Sequence, residues 1–168
     1  MYLAVEGSEA DIDAWMATVK SVRRVFPGLE TDAALKEHRE TVLRFMRQKR
    51  AVCVKDGDRI IGVLLFSVKH NMICCLAVAD DCRKRGIGSE LLTYALARLD
   101  RTRPVTVSTF REEDKNGAAP RALYKKYGFI PGELTLEFGY PNQIFVLYPE
   151  SLQSTVKTDP KAPEPFPP

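Results

Sequence analysis

The chain has 168 residues, of which 45% are hydrophobic and 28% charged, so its length and composition are typical of one soluble globular domain. Its 25 Lys and Arg residues against 22 Asp and Glu residues give a net charge of +3, too small for a general nucleic-acid-binding protein. Four cysteines and two histidines without metal-ligand spacing predict no metal site. The lack of an apolar leader or a bilayer-length segment predicts a cytoplasmic protein that binds no membrane.

The first third of the chain predicts one short strand and two helices. Residues 2–5 are apolar and brief, and Ser8 with an aspartate three residues later forms a capping pattern that opens a helix. This first helix is predicted to run to about Phe26. Thr31 is the predicted N-cap of a second helix, which keeps its apolar residues on one side and ends near Arg50.

The middle of the chain changes from helical to strand periodicity. Residues 51–55, 59–68 and 72–78 are rich in apolar side chains and are separated by turn residues, which predicts three antiparallel strands in hairpins. Apolar residues return at helical spacing from Gly86, and the third helix is predicted to end before Pro104.

The last elements are a strand, a helix and a closing pair of strands. The strand covers residues 105–110 and the helix residues 118–127. The closing strands are predicted over residues 134–138 and 144–148, joined through the loop 139–142. Helices and strands therefore follow one another in a mixed α/β order.

A change in composition marks the end of the predicted domain. From about Ser154 apolar residues become sparse and prolines frequent, which is typical of an extended, flexible segment. We therefore predict one domain over residues 1–153 and a proline-rich flexible tail over residues 154–168.

The most informative segment is a basic, glycine-containing turn between a strand and a helix. Gly86 and Gly88 allow the backbone to approach an anion, and Arg83, Lys84 and Arg85 add positive charge at the helix start. Because a helix N-terminus presents unpaired N–H groups, the segment predicts a pyrophosphate site. It is neither a P-loop nor a dinucleotide fingerprint. The alternative is an ordinary solvated basic turn.

Two motifs together resemble the GNAT superfamily of acetyl-CoA-dependent N-acyltransferases. Arg83-x-x-Gly86-x-Gly88 is similar to the Arg/Gln-x-x-Gly-x-Gly/Ala motif of that family, and residues 122–129 contain its Leu-Tyr-x-x-x-Gly-Phe motif. The resemblance covers residues 2–149. It implies an α/β fold with a central mixed, mostly antiparallel sheet flanked by helices, and acetyl-CoA as the cosubstrate.

The resemblance also implies the roles of single residues. Tyr124 occupies the position of the general acid, which suits its chemistry because a phenol with a pKa of about 10 keeps its proton at neutral pH. Asn116 lies one residue further from Tyr124 than the family's usual asparagine, so it is a weaker candidate for a cofactor contact. The other implied cofactor-binding residues are Leu76, Ala77, Val78, Arg83, Lys84, Arg85, Gly86, Ile87, Gly88 and Ser89.

The general base and the acceptor remain open at the level of sequence. Residues 70–75 contain no carboxylate where some family members have one. Glu113 and Asp114, after the fifth strand, are candidates for binding or deprotonating an amine, although a charged loop is more often simply solvated. Residues 27–30 and 139–142 occupy the positions of the family's usual acceptor walls.

Three hypotheses follow from the sequence. The first is an N-acetyltransferase that moves the acetyl group of acetyl-CoA to a primary amine, on a small molecule or a peptide, by direct attack in a ternary complex. The second is a non-catalytic acyl-CoA-binding or sensing module, and the third is a partner-binding protein without a small ligand. A homodimer is left open.

Overall fold

The computed structural model describes residues 1–152, in which one sheet is flanked by helices on both faces. The predicted tail, residues 154–168, lies outside the described residues. The strands are β1 Ala4–Glu6, β2 Ala51–Asp56, β3 Arg59–Ser67, β4 Met72–Val78, β5 Val105–Phe110, β6 Ile130–Glu137 and β7 Tyr140–Leu147, and the helices are α1 Ile12–Ser21, α2 Asp32–Arg47, α3 Ile87–Leu96 and α4 Ala118–Lys126.

The seven strands lie in the order β1-β2-β3-β4-β5-β7-β6. Every neighbouring pair is antiparallel except β4 and β5, which are parallel and joined by the crossover through α3. The predicted mixed, mostly antiparallel sheet flanked by helices is therefore confirmed.

Each face of the sheet has its own apolar core. On one face α1 and α2 bury their apolar stripes, with Trp15, Val19 and Val42 at 0% exposure. On the other face α3 packs Leu91 and Leu92, also at 0%, together with side chains of α4. This burial follows from the helical spacing of apolar residues, and each such side chain contributes about 1.5–3 kcal/mol relative to exposure.

The predicted helix caps are present. The main-chain N–H and the hydroxyl of Ser8 both donate to Oδ2 of Asp11, at 2.9 and 3.3 Å. Thr31 Oγ1 accepts the N–H of Ala34 at 3.1 Å. These bonds satisfy groups that the first turns would otherwise leave unpaired.

The predicted end of the first helix at Phe26 is wrong. α1 ends at Ser21, because Val22 leaves the helical region with φ −118° and ψ 18°, and a 3₁₀ turn follows over Arg23–Val25. The tighter turn keeps Val22 in the core and brings Phe26 to the wall of a cleft.

The closing strand pair is longer than predicted. The expected loop 139–142 is absent, because Phe138 and Gly139 form a two-residue turn with φ of 51° and 76°, and Glu137 pairs directly with Tyr140. Positive φ at both central positions is the geometry of a type I′ hairpin turn. The usual signal for that turn is Asn-Gly or Asp-Gly, so Phe-Gly did not predict it.

Candidate active site

A cleft opens where β4 and β5 separate. The two parallel strands pair only through Met72 with Thr106 and Ile73 with Val107. On the other side of β4 the register with β3 shifts at the next residue, so that Cys74 is an extra, bulged residue. A bulge bends its strand, and beyond it lies a cleft of about 690 Å³. This gap connects the two faces of the sheet.

One wall of the cleft is the free edge of β4. The main-chain N–H of Ala79 donates to the carbonyl of Ile61 at 2.9 Å, on the β3 side. Because main-chain groups alternate in direction along a strand, those of Leu76 and Val78 are directed away from β3, into the gap. Leu76, Ala77 and Val78 all line the cleft, so this edge can pair with an extended ligand.

The N-terminus of α3 forms one end of the cleft. Gly86 adopts the left-handed conformation with φ 78°, and a Cβ built there would meet nothing within 4 Å. No side chain caps the helix, so the first N–H groups face open space. Arg83, Lys84, Gly88 and Ser89 also line the cleft. An anion bound there would meet N–H donors and positive charge together.

Arg85, unlike Arg83 and Lys84, does not line the cleft and contacts Tyr2, close to β1. Its guanidinium donates to the hydroxyl of Tyr2 at 3.4 Å, and the residue is exposed. Lys84 is also left-handed, with φ 62°. We call residues 83–89 the anion-binding turn, after the site that the sequence predicts there.

Tyr124, on α4, has a buried ring at the cleft wall. The residue is 3% exposed, with ring centroids 5.6 Å from Phe129 and 6.1 Å from Phe145. Its hydroxyl makes no hydrogen bond to any residue of the described range 1–152, yet the side chain lines the cleft. Burial, followed by the charge of Cys75, raises the pKa of Tyr124 above its ordinary value. The phenol therefore keeps its proton at neutral pH.

Tyr127, three residues later, has a structural role. Its hydroxyl hydrogen-bonds with Thr93 Oγ1 at 2.7 Å and donates to the carbonyl of Ser89 at 2.9 Å. These hydrogen bonds connect the end of α4 to α3 beside the anion-binding turn. Within the described residues, the hydroxyl of Tyr127 is therefore hydrogen-bonded and that of Tyr124 is not.

The acidic residues after β5 lie at the edge of the site. Neither Glu113 nor Asp114 lines the cleft. Asp114 accepts the main-chain N–H of Asn116 at 2.9 Å and the hydroxyl of Tyr140, so its carboxylate is already engaged. Asn116 itself lines the cleft.

The structure adds two polar residues, His38 and Glu137, that the sequence did not indicate. They line the cleft beside the α1 and α2 face of the sheet together with Asn142, which belongs to the segment 139–142 implied as an acceptor wall. His38 Nε2 and Asn142 Oδ1 are two of the three buried side-chain polar atoms without a hydrogen-bond partner in the described residues. For His38 a signal existed, because it falls three residues after Leu35 and four before Val42, on the buried side of α2.

The amide of Asn142 holds the carboxylate of Glu137. Asn142 Nδ2 donates to Glu137 Oε2 at 2.7 Å and to Ser108 Oγ at 3.1 Å, which fixes the orientation of the amide. Partial desolvation and, second, the negative charge of Glu137 raise the pKa of the Cys74 thiol to about 11. Glu137 and Cys74 both line the cleft. Burial lowers the pKa of His38, so its imidazole is neutral at pH 7.

Two further features bear on what the described residues can bind. Among residues 1–152 no group of three or more His, Cys, Asp or Glu side chains is arranged to hold a metal ion. Within the same range, each helix is too short or too polar to cross a bilayer.

A family model described as an acetyltransferase (GNAT) domain matches residues 47–131. The matched segment contains β4, the anion-binding turn and Tyr124. No match is found among curated protein sequences.

Solved structures share the whole fold at low sequence identity. A GNAT-family acetyltransferase from Bacillus cereus is 22% identical with a TM-score of 0.69, over 88% of this chain and 97% of that one. An N-acetyltransferase from Staphylococcus aureus is 16% identical with a TM-score of 0.67, over 86% and 100%. A PaiA N-acetyltransferase from Thermoplasma acidophilum, solved with coenzyme A, is 13% identical with a TM-score of 0.65, over 88% and 99%. At this level of identity they establish the fold.

Proposed function

Since this chain belongs to the GNAT acetyltransferase family, we propose that it transfers the acetyl group of acetyl-CoA to the nitrogen of a primary amine, by direct attack while both substrates are bound. The observation that carries the proposal is the cleft between β4 and β5. A free strand edge, an uncapped helix N-terminus and an unpartnered phenol hydroxyl line this one space.

The residues present fit acetyl-CoA by the chemistry of their donors. The free edge of β4 at Leu76 and Val78 offers main-chain donors and acceptors to the two amides of a pantetheine arm. The turn from Arg83 to Ser89 offers N–H groups and cations to a pyrophosphate. When bound, acetyl-CoA supplies a thioester whose carbonyl carbon is open to attack by a neutral amine.

Tyr124 is the proposed general acid. Tyr124 would donate its phenolic proton, which no hydrogen bond in the described residues holds, to the thiolate released as the carbon–sulfur bond breaks. The tyrosinate would regain a proton from solvent, to which the attacking nitrogen loses its second proton. Burial raises the pKa of Tyr124, which keeps the proton in place until the sulfur becomes basic.

His38 is the proposed proton acceptor on the amine side. An amine is mostly protonated at pH 7 and must lose one proton before its lone pair can attack. His38 lines the cleft, is neutral at that pH, and has an Nε2 that no described residue hydrogen-bonds. We propose that the imidazole accepts the proton at this nitrogen.

The first experiment is a thermal-shift titration of the full chain with acetyl-CoA, CoA and ATP, followed by thiol release with a panel of amines. Binding to the native state raises the melting temperature by mass action. We expect both CoA species to stabilise the protein more than ATP does, and thiol release to depend on an amine. Stabilisation without thiol release from any amine would instead favour the acyl-CoA-binding module, and no stabilisation would refute the assignment of the cleft.

A further inference from the structure

The acceptor half of the cleft is built mainly from apolar rings. We use this name for the part that opens on the α1 and α2 face, opposite the anion-binding turn. Its apolar walls are Phe26, Leu29, Phe45, Leu65, Phe110 and Phe138. Such walls favour a ligand body that is itself apolar, since polar groups placed against them would lose hydrogen bonds to water.

Two acceptor groups of this half are linked to each other. Glu137 Oε2 accepts from Asn142 Nδ2, and Asn142 Oδ1 is buried without a partner in the described residues, because the Nδ2 of that amide donates to Glu137 and Ser108. A buried acceptor without a donor is costly, and an ammonium group would supply up to three N–H donors. The arrangement is therefore complementary to a cation that carries N–H groups.

Charge also limits what else the ligand can carry. The only Arg or Lys residues lining the cleft in the described chain are Arg83 and Lys84, at the opposite end. Arg111 lies beside Asn142, but its guanidinium donates to the carbonyls of Asn142 and Thr135, at 3.1 and 3.0 Å, and does not line the cleft. A carboxylate on the acceptor would find no cation there and would be repelled by Glu137. Among residues 1–152, Glu137 is the only carboxylate that lines the cleft, so the further ammonium groups of a polyamine would lack a carboxylate inside it.

The tip of the β6–β7 hairpin lies at the mouth of the acceptor half. Phe138 is 80% exposed, yet a Cβ on Gly28 would lie 2.9 Å from Cγ of the Phe138 ring. The ring therefore rests on the main chain of Gly28 and bridges the two sides of the mouth. Phe138 also holds a left-handed φ of 51°, which is costly for a bulky residue. A phenyl ring at this position narrows the mouth of the acceptor half.

We propose that the acceptor half binds a primary amine carried on one slim apolar group, an arylalkylamine by chemical class, with Glu137 and Asn142 receiving its ammonium group. This inference rests on the proposed function and names its acceptor. It predicts that arylalkylamines are better substrates than amino acids, which add a carboxylate, and than polyamines, which add further positive charge.

The test compares amines that differ by one group. 2-Phenylethylamine and phenylalanine share the aromatic body and differ by a carboxylate, and spermidine represents the polyamines. We expect kcat/KM for 2-phenylethylamine to exceed that for phenylalanine by at least about 100-fold, because like charges brought together cost several kcal/mol. Equal or better use of phenylalanine or spermidine would overturn the inference while leaving acetyl transfer established.

A variant pair locates the ammonium site. Glu137→Gln keeps the shape and removes the charge, so we expect kcat/KM for 2-phenylethylamine to fall about 10- to 100-fold with unchanged acetyl-CoA affinity. Glu133→Gln is the matched control on the same strand, because Glu133 is exposed and does not line the cleft. Equal losses in both variants, or none in Glu137→Gln, would overturn the assignment.

A binding measurement keeps the inference independent of turnover. If acetyl-CoA binds but no amine is acetylated, 2-phenylethylamine is titrated calorimetrically into the CoA-loaded protein. Binding that Glu137→Gln weakens and Glu133→Gln does not would support the site even though the enzyme assignment had failed. No binding to the loaded protein would overturn it.

Discussion

Replacing Tyr124 by phenylalanine separates a catalytic hydroxyl from a structural one. The hydroxyl has no hydrogen-bond partner in residues 1–152, and the ring packs against Phe129 and Phe145, so Tyr124→Phe removes one oxygen and leaves the packing intact. The free energy of unfolding should stay within about 1 kcal/mol of wild type, because no protein hydrogen bond is lost. General acid catalysis typically contributes about 10²–10⁴-fold, and kcat should fall by that factor.

Tyr127→Phe is the matched control from the same motif. Its hydroxyl makes two hydrogen bonds, to Thr93 and to the carbonyl of Ser89, and each is worth about 0.5–1.5 kcal/mol. The variant should therefore unfold more easily, by about 1–3 kcal/mol, and its melting temperature should fall by about 2–4 °C for each kcal/mol. Its kcat should stay near wild type.

Three measurements on both variants complete the comparison. Urea unfolding gives the free energy of unfolding, thiol release gives kcat, and calorimetry gives the affinity for acetyl-CoA. The hypothesis requires opposite patterns, with activity lost in Tyr124→Phe and stability lost in Tyr127→Phe. Wild-type turnover in Tyr124→Phe would remove this hydroxyl from the mechanism and, with it, the argument from its unpartnered position.

Three further predictions test the anion-binding turn, the cleft histidine and the core. Gly86→Glu should abolish acetyl-CoA binding in calorimetry by charge repulsion, whereas Gly57→Glu, a control with a similar φ of 62° and equally open space, should keep wild-type affinity. The pKa of His38 is lowered in the folded state, so stability should decline as the pH falls below about 6.5, where the unfolded chain takes the proton first. His38→Gln should flatten that decline in urea unfolding between pH 7.5 and 5, and substitution of the exposed His70 should not. Thr18→Val should lower the free energy of unfolding by about 1–3 kcal/mol, because its buried hydroxyl donates to a β3 carbonyl, and a change below about 0.5 kcal/mol would contradict this.

Local signals explain which elements could be predicted from the sequence. The caps at Ser8 and Thr31 and the turn at Gly57 each depend on residues adjacent in the chain, so their patterns are visible without tertiary structure. The end of α1 depends instead on packing, because Val22 leaves the helical conformation where it is buried against the sheet. The β6–β7 turn lacks the expected asparagine or aspartate, so its position could not be read from residue preference.

The site shows the same division between local and tertiary information. The motif residues Gly86 and Tyr124 carry the family resemblance, and both line the cleft. Glu137 has no local signal, because its place in the cleft depends on the length of β6 and on the tight turn after it. His38 had a signal in the spacing of α2, where a polar residue interrupts the buried stripe. Sequence patterns therefore indicated the anion-binding turn and Tyr124 better than the residues of the acceptor half.

The bulge at Cys74 connects the fold to the proposed chemistry. Without the extra residue, β4 would continue alongside β5, and the two strands would bond to each other beyond Ile73 as they do before it. The main-chain groups of Leu76 and Val78 would then be used within the sheet, and no passage would join its two faces. The inserted residue thus lies where both the free edge proposed to bind acetyl-CoA and the opening proposed to admit an amine from the α1 and α2 face begin.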